Sequence, residues 1–321
     1  MTPYLKLAAS GLVLSLLIGA GACQQQPQKQ SRAGEQGQAA TAAAATSPDV
    51  HPFTVGDLKL AALRDGEIVV PVAQSPWVEA GAKAEDIVAL LTAAGAPTDA
   101  VHLPVQPLLV RDGERVVLID AGAGGQMGTQ NLLVASLRAA GVEPDQVTDI
   151  LISHSHGDHV GGLVDAKGAL VFPKAVIRMS AAEWDAAKAG AKGDEAVLIR
   201  TITPRVEVFQ PAARITPAIR AVPLKGHTPG HSGYEIASGS ERLLYVGDAL
   251  HSSVISVPRP DLALVWDNDR AAGAATRRTL LDQGAQGGLR YYGVHFPFPG
   301  LGKIERRGEA YVWTPEAPPA G

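Results

Sequence analysis

The chain has a single cysteine, Cys23, in 321 residues. That excludes an intrachain disulfide, a structural zinc site built on two or more thiolates, and a CxxC redox motif. Aromatic residues are scarce, at 5%, and 28 basic against 32 acidic side chains leave a net charge of −4. The basic residues are scattered, with Arg277-Arg278 and Arg306-Arg307 the only adjacent pairs, so the electrostatic footprint of a nucleic-acid binder is missing. Hydrophobic residues reach 46%, with 35 glycines and 23 prolines, the composition of a turn-rich globular protein. Whatever chemistry the chain performs must use His, Asp, Glu, Ser or Tyr.

Residues 1–22 are predicted to be an export signal, with Lys6 ahead of an apolar run from Leu7 to Ala22 that is short for a membrane span. The run ends in Ala20-Gly21-Ala22-Cys23, which resembles a bacterial lipobox and implies cleavage before a lipid-bearing Cys23. Ala20 stands where a leucine is usual, so cleavage to a soluble periplasmic form is the alternative; Gln24, in place of aspartate, points to the outer membrane. The expectation is an exported, periplasmic protein, with a membrane contact only through an anchor on Cys23. Residues 23–48 are rich in Gln, Ala, Ser and Gly and lack the apolar area that would offset chain entropy, so they read as a disordered tether. Residues 49–321 then form one folded domain.

Within that domain short apolar runs alternate with helical stretches, an α/β pattern. Hairpins are predicted around Arg64-Asp65-Gly66-Glu67, within Asp57–Pro71, and around Arg111-Asp112-Gly113-Glu114, between Pro104–Val110 and Arg115–Ile119. A glycine-rich loop follows Asp120, with Gly122, Gly124 and Gly125 permitting tight turns, and then a helix over Asn131–Ala140 stopped by Gly141. Further strands are expected at 147–153, 175–179, 219–223, 233–236, 243–246 and 291–294, with helices near 180–190 and 270–283.

The decisive segment is His154-Ser155-His156-Gly157-Asp158-His159, placed directly after a predicted strand. His154 and His156, two apart on an extended segment, point to one side and can clamp one ion. Asp158 and His159 begin the next turn and reach a second. His231, Asp248 and His295 each follow a strand downstream, where a rigid sheet presents functional groups.

These residues resemble the metallo-β-lactamase superfamily over nearly all of 49–321: His154, His156, Asp158 and His159 match its HxHxDH motif. The resemblance implies a four-layer αββα sandwich, one metal held by His154, His156 and His231, a second by Asp158, His159 and His295, and Asp248 bridging them. Asp120 matches the aspartate that orients the site, and with Asp158 and Asp248 it forms the expected catalytic carboxylates. His227 is expected only to orient a neighbour. The strings Gly226-His227-Thr228-Pro229-Gly230-His231 and His295-Phe296-Pro297-Phe298-Pro299-Gly300-Leu301-Gly302, with Trp184, look like the methyl parathion hydrolase branch near the quorum-quenching lactonases. Asp248 stands where common metallo-β-lactamases carry a cysteine ligand, which disfavours antibiotic hydrolysis. The strand-like tail after His295 has no counterpart of the C-terminal helices of glyoxalase II.

The expected cofactors are two divalent ions, Zn2+ first, with Mn2+, Co2+ or Fe2+ as alternatives. Such a pair turns a bridging water into hydroxide near neutral pH for attack on an ester, lactone or phosphotriester. The expected partner is a small-molecule substrate, with a homodimer as the assembly left open. Met127, Trp184 and His251 are the candidates for the substrate pocket; Met127 falls where that branch has a phenylalanine, which favours lactones and simple esters over aryl phosphotriesters. Two other readings stay open: a single-iron enzyme of the persulfide dioxygenase type, and a non-catalytic, lipid-anchored metal-binding protein.

Overall fold

The computed structural model describes residues 47–316. The predicted signal peptide, Cys23, nearly all of the tether and the last five residues lie outside the described residues.

Two sheets pack face to face. The first takes seven strands in the order Val50–Val55, Leu58–Leu63, Leu108–Asp112, Arg115–Ile119, Asp149–Leu151, Val176–Ser180 and Val206–Phe209. The second takes six, in the order Ile219–Pro223, Ser232–Ser238, Glu241–Tyr245, Arg290–Tyr292, Leu301–Arg307 and Ala310–Pro315. Side chains alternate as the strand period requires: Leu108 and Val110 face the core between the sheets, and Leu109 faces the helices outside. Leu60, Val117 and Leu151 meet Ile219, Tyr234 and Tyr292 in that central core. Leu133 and Leu137 (helix Leu133–Ala139), Trp184 (Ala181–Gly190) and Ile202 (Gly193–Ile202) cover the outer face of the first sheet. Leu280 and Leu281 of the helix Arg270–Ala285, started by the Asp269 carboxylate accepting from the Ala272 amide at 3.0 Å, cover the second. The result is an α/β protein with four αββα layers.

One predicted hairpin forms: Leu108–Asp112 pairs antiparallel with Arg115–Ile119. The other does not. Leu58–Leu63 joins the first sheet, whereas Gly66–Pro71 pairs with Ala100–Val105 in a separate two-stranded sheet. The cause is Asp65, fully buried, whose carboxylate accepts from the amides of Ala123 (2.9 Å) and Leu133 (3.1 Å). Asp65 therefore anchors the glycine-rich loop and does not serve a turn. The run Pro104–Val110 also divides, its first part in the small sheet and its second in the large one.

Four strands of the first sheet run parallel from Arg115–Ile119 to Val206–Phe209, and Glu241–Tyr245 runs parallel to Arg290–Tyr292 in the second. Asp120, His154, Glu183, Asp248 and His295 all follow the C-terminal ends of these strands, the edge at which open α/β sheets present their sites.

Candidate metal centre

His154 leaves the strand Asp149–Leu151 in an extended loop, His156 caps the one-turn helix Gly157–Val160, and Asp158 and His159 lie within that turn. Two groups of donor atoms result. His154, His156, His227 and Asp248 each bring one ligand-type atom within 4.8 Å of all the others, and so do Asp158, His159, Asp248 and His295. Asp248 belongs to both. Its Oδ1 lies 3.1 Å from both His159 Nε2 and His295 Nε2, and its Oδ2 lies 3.5 Å from His154 Nε2 and 3.4 Å from His227 Nε2.

The outward nitrogens of four of these imidazoles, those of His154, His159, His227 and His295, are tied to the scaffold. His159 Nδ1 is 2.7 Å from Asp120 Oδ2, His227 Nδ1 is 3.2 Å from Asp267 Oδ1, and His295 Nδ1 is 2.7 Å from the Pro104 carbonyl. Ser153 Oγ donates to Asp120 Oδ2 at 2.7 Å and is left to accept from His154 Nδ1 at 3.1 Å. These partners place the protons on Nδ1 and aim the Nε2 lone pairs inward, an arrangement that orients histidine for a metal. Asp120 itself sits behind the ligands, its carboxylate also bonded to the Ser153 amide and the Tyr245 hydroxyl, on a backbone with φ 60°. It orients and does not face the cavity.

The expectation for the segment 226–231 is corrected. His231 is buried, but both of its nitrogens serve the backbone: Nε2 accepts from the Asp248 amide at 2.9 Å and Nδ1 lies 3.2 Å from the Leu224 carbonyl. His227, expected only to orient a neighbour, sends Nε2 to within 3.2 Å of His154 Nε2 and 3.0 Å of His156 Nδ1. Gly247, at φ 50°, permits the contact between His231 and Asp248, because a Cβ there would lie 2.6 Å from His231 Nε2.

The donors fit divalent cations. His159 Nε2 and Asp248 Oδ1 are buried with no hydrogen-bond partner. Nitrogen lone pairs converging at about 3 Å need a cation between them, since one proton satisfies only one pair. Burial pushes His156 down to about 4 and His154 well below the usual histidine range. Burial alone would raise Asp158 and Asp248, yet the surrounding histidines together, His159 foremost and His295 with it, outweigh burial and hold both below the usual carboxylate range. Against the lowering effect of burial, the Asp248 carboxylate raises His159, His295 and His227, the last to about 9, so a cation binding there would displace protons from these imidazoles.

Of the three pocket candidates, His251 stands within the centre and Met127 at the edge of the ligand turn. His251 is fully buried, with Nε2 3.0 Å from Asp248 Oδ2 and its ring stacked on His295. Trp184 packs into the core under the helix Ala181–Gly190, away from the opening. Met127 is 47% exposed, its Cε beside Gly157, and lines neither of the two cavities at the centre. Sequence reasoning missed Trp266, 40% exposed at the mouth and packed on His251, and Asp267, the partner of His227. It also missed Glu183. None of the three falls in a ligand-spaced motif, so no local signal marks them.

Residues 102–295 match the model of the metallo-beta-lactamase superfamily. The chain belongs to that superfamily. Among characterised members it is similar to N-acyl homoserine lactonases from Bacillus sp., 27% identical over 157 residues, and Bacillus cereus, 26% over 170. These alignments cover 42% and 46% of this chain and 59% and 64% of the relatives, so the matched part spans about three-fifths of their length. Among solved structures it is similar to AidC, a dizinc quorum-quenching lactonase bound to its product, with a TM-score of 0.76 and 29% identity over 84% of this chain and 97% of that one. The hydrolase AbOPH of the beta lactamase superfamily gives a TM-score of 0.75 and 25% identity over 85% and 99%.

Proposed function

We propose that the protein is an exported, two-metal hydrolase of uncharged carboxylic esters and lactones. The observation that carries this reading is the Asp248 carboxylate, whose two oxygens face two separate groups of histidine and aspartate donors. His154, His156 and His227 would hold one ion and Asp158, His159 and His295 the other, with Asp248 shared. Two such ions, zinc first, supply a Lewis acid for the substrate carbonyl and a water acidic enough to lose its proton near neutral pH.

The protein's own groups do the rest. Asp120, Asp267 and the Pro104 carbonyl lock the imidazole rings, so no reorganisation is needed as charge develops. Asp248 Oδ2 and His251 Nε2, 3.0 Å apart, form a buried pair that can take up the proton lost by the attacking water and hand it to the departing alkoxide. A lactone or alkyl ester needs that proton; a nitrophenolate does not.

Two cavities meet the centre. One of about 390 Å³ opens beside His156, His227 and Trp266, and one of about 190 Å³, walled by Leu91, Val101 and Val254, ends at His295. Among the described residues neither lining contains a lysine or arginine, and the first includes Asp267 and Glu183. An anionic group held in either cavity away from the metals would find no cationic side chain to pair with, which supports uncharged esters. The complete second donor group of Asp158, His159 and His295 speaks against a single-iron oxygenase.

The test is a substrate panel of acyl-homoserine lactones, aryl esters and paraoxon-like triesters with zinc or manganese added. Lactone or ester turnover exceeding triester turnover is expected; a kcat/KM for an aryl triester well above that for every lactone and ester overturns the substrate class. Export with acylation of Cys23 is supported by the Leu7–Cys23 segment alone. It predicts mature protein in the membrane fraction and release, or an uncleaved signal, in Cys23→Ser. Wild-type protein wholly soluble in the periplasm would contradict the anchor.

A further inference from the structure

Glu183 is fully buried and has no cationic partner among the described residues. Its Oε1 accepts from the Ser155 amide at 2.9 Å and the Ser155 hydroxyl at 2.7 Å. Its Oε2 accepts from the Thr228 hydroxyl at 2.7 Å and the Gly230 amide at 3.0 Å. Ser155 lies between His154 and His156, and Thr228 follows His227. One carboxylate thus joins the two segments that bring three imidazoles together, segments 73 residues apart in sequence from His154 to His227.

The surroundings are built for this contact. Ser180 Oγ receives the Glu183 amide at 3.2 Å and donates to the Gly230 carbonyl at 2.7 Å, fixing the helix start against the second segment. Gly230 must lack a side chain, since a Cβ would come within 2.2 Å of the Glu183 amide nitrogen. Ser180-Ala181-Ala182-Glu183 has the spacing of a capping box. The Ser180 half of that box forms, but the Glu183 side chain turns to the ligand segments and spends all its acceptor capacity there.

We infer that Glu183 is a positioning residue that holds the His154–His156 and His227 segments at the separation a cation requires. This rests on the two-metal reading. An ionised carboxylate that accepts four hydrogen bonds is directional as well as strong, and such outer partners of metal ligands typically change affinity by about 10–100-fold. Glu183→Gln keeps the shape but turns one oxygen into an NH2 group, so one of the two segments loses its acceptor.

The measurement is zinc affinity of metal-free protein by competition with a chromogenic chelator, with circular dichroism reporting the fold. A folded Glu183→Gln protein with at least one zinc bound about 10–100-fold more weakly is expected. Wild-type affinity for both zincs in folded Glu183→Gln overturns the role, even if the melting temperature drops, because a purely structural group would do only the latter. Should Glu183→Gln not fold, the Ser155→Ala, Thr228→Val double variant keeps the carboxylate and removes two of its donors. It should weaken zinc about tenfold, and unchanged affinity there overturns the role equally. The two failures are distinguishable: wild-type protein that binds no zinc sinks the two-metal reading, whereas two zincs held equally by wild type and variant sink only the role of Glu183.

Discussion

His231 accepts the backbone N–H of Asp248 at 2.9 Å, and so a histidine just ahead of the strand Ser232–Ser238 fixes the residue shared by both donor groups without offering either a ligand atom. That relationship separates the two histidines of the segment 226–231 by role. His227→Ala should abolish activity and reduce bound metal, because it removes a ligand atom. His231→Ala should keep both metals, lose about 10–100-fold in activity, and lose about 1–3 kcal/mol of stability from the unpaired buried amide. Metal analysis of the two purified variants checks this, and metal loss in His231→Ala with retention in His227→Ala would reverse the assignment.

Arg277 should matter for stability although it is remote from the donors. It is 1% exposed, donates to Asp267 Oδ2 at 3.0 Å, and its other nitrogens hold the Pro260 and Leu262 carbonyls. Burial would raise the Asp267 carboxyl, but the His227 hydrogen bond and the Arg277 charge hold it down at about 2. Arg277→Met strands that carboxylate and should cost about 3–5 kcal/mol in urea unfolding. A loss under about 1 kcal/mol would show that the pair is not needed to keep the segment 259–269 in place.

Trp184 and Trp266 should behave oppositely. Trp184→Ala opens a cavity in the core and should cost about 3–5 kcal/mol. Trp266→Ala removes an exposed ring and should leave stability within about 0.5 kcal/mol while changing kcat/KM by about twofold to tenfold for substrates bearing an aryl or acyl group. Denaturation curves and a two-substrate kinetic comparison decide it. Equal kinetics in Trp266→Ala and wild type would remove the ring from the substrate path.

The extent to which the site could be read in advance follows sequence distance. His154, His156, Asp158 and His159 are legible because four donors sit in six residues, where spacing alone dictates a turn of ligands. The choice between His227 and His231 is not, because it is made by Asp248 and Gly247, whose contacts arise only when the chain folds back. Trp184 and Glu183 illustrate the same limit. A helix face points the first into the core, and the second reads locally as a cap while its partners lie elsewhere. In the fold, the hairpin over Asp57–Pro71 fails for that reason, since Asp65 answers to amides 58 and 68 residues away.

The most direct test of the two-metal hydrolase is a titration of metal-free protein with Zn2+ while ring-opening of an acyl-homoserine lactone is followed by proton release. Activity should rise with added zinc and level off at two equivalents per chain. A plateau at one equivalent, or no ring-opening of lactone or ester at any zinc level by protein that holds one iron as isolated, would contradict it.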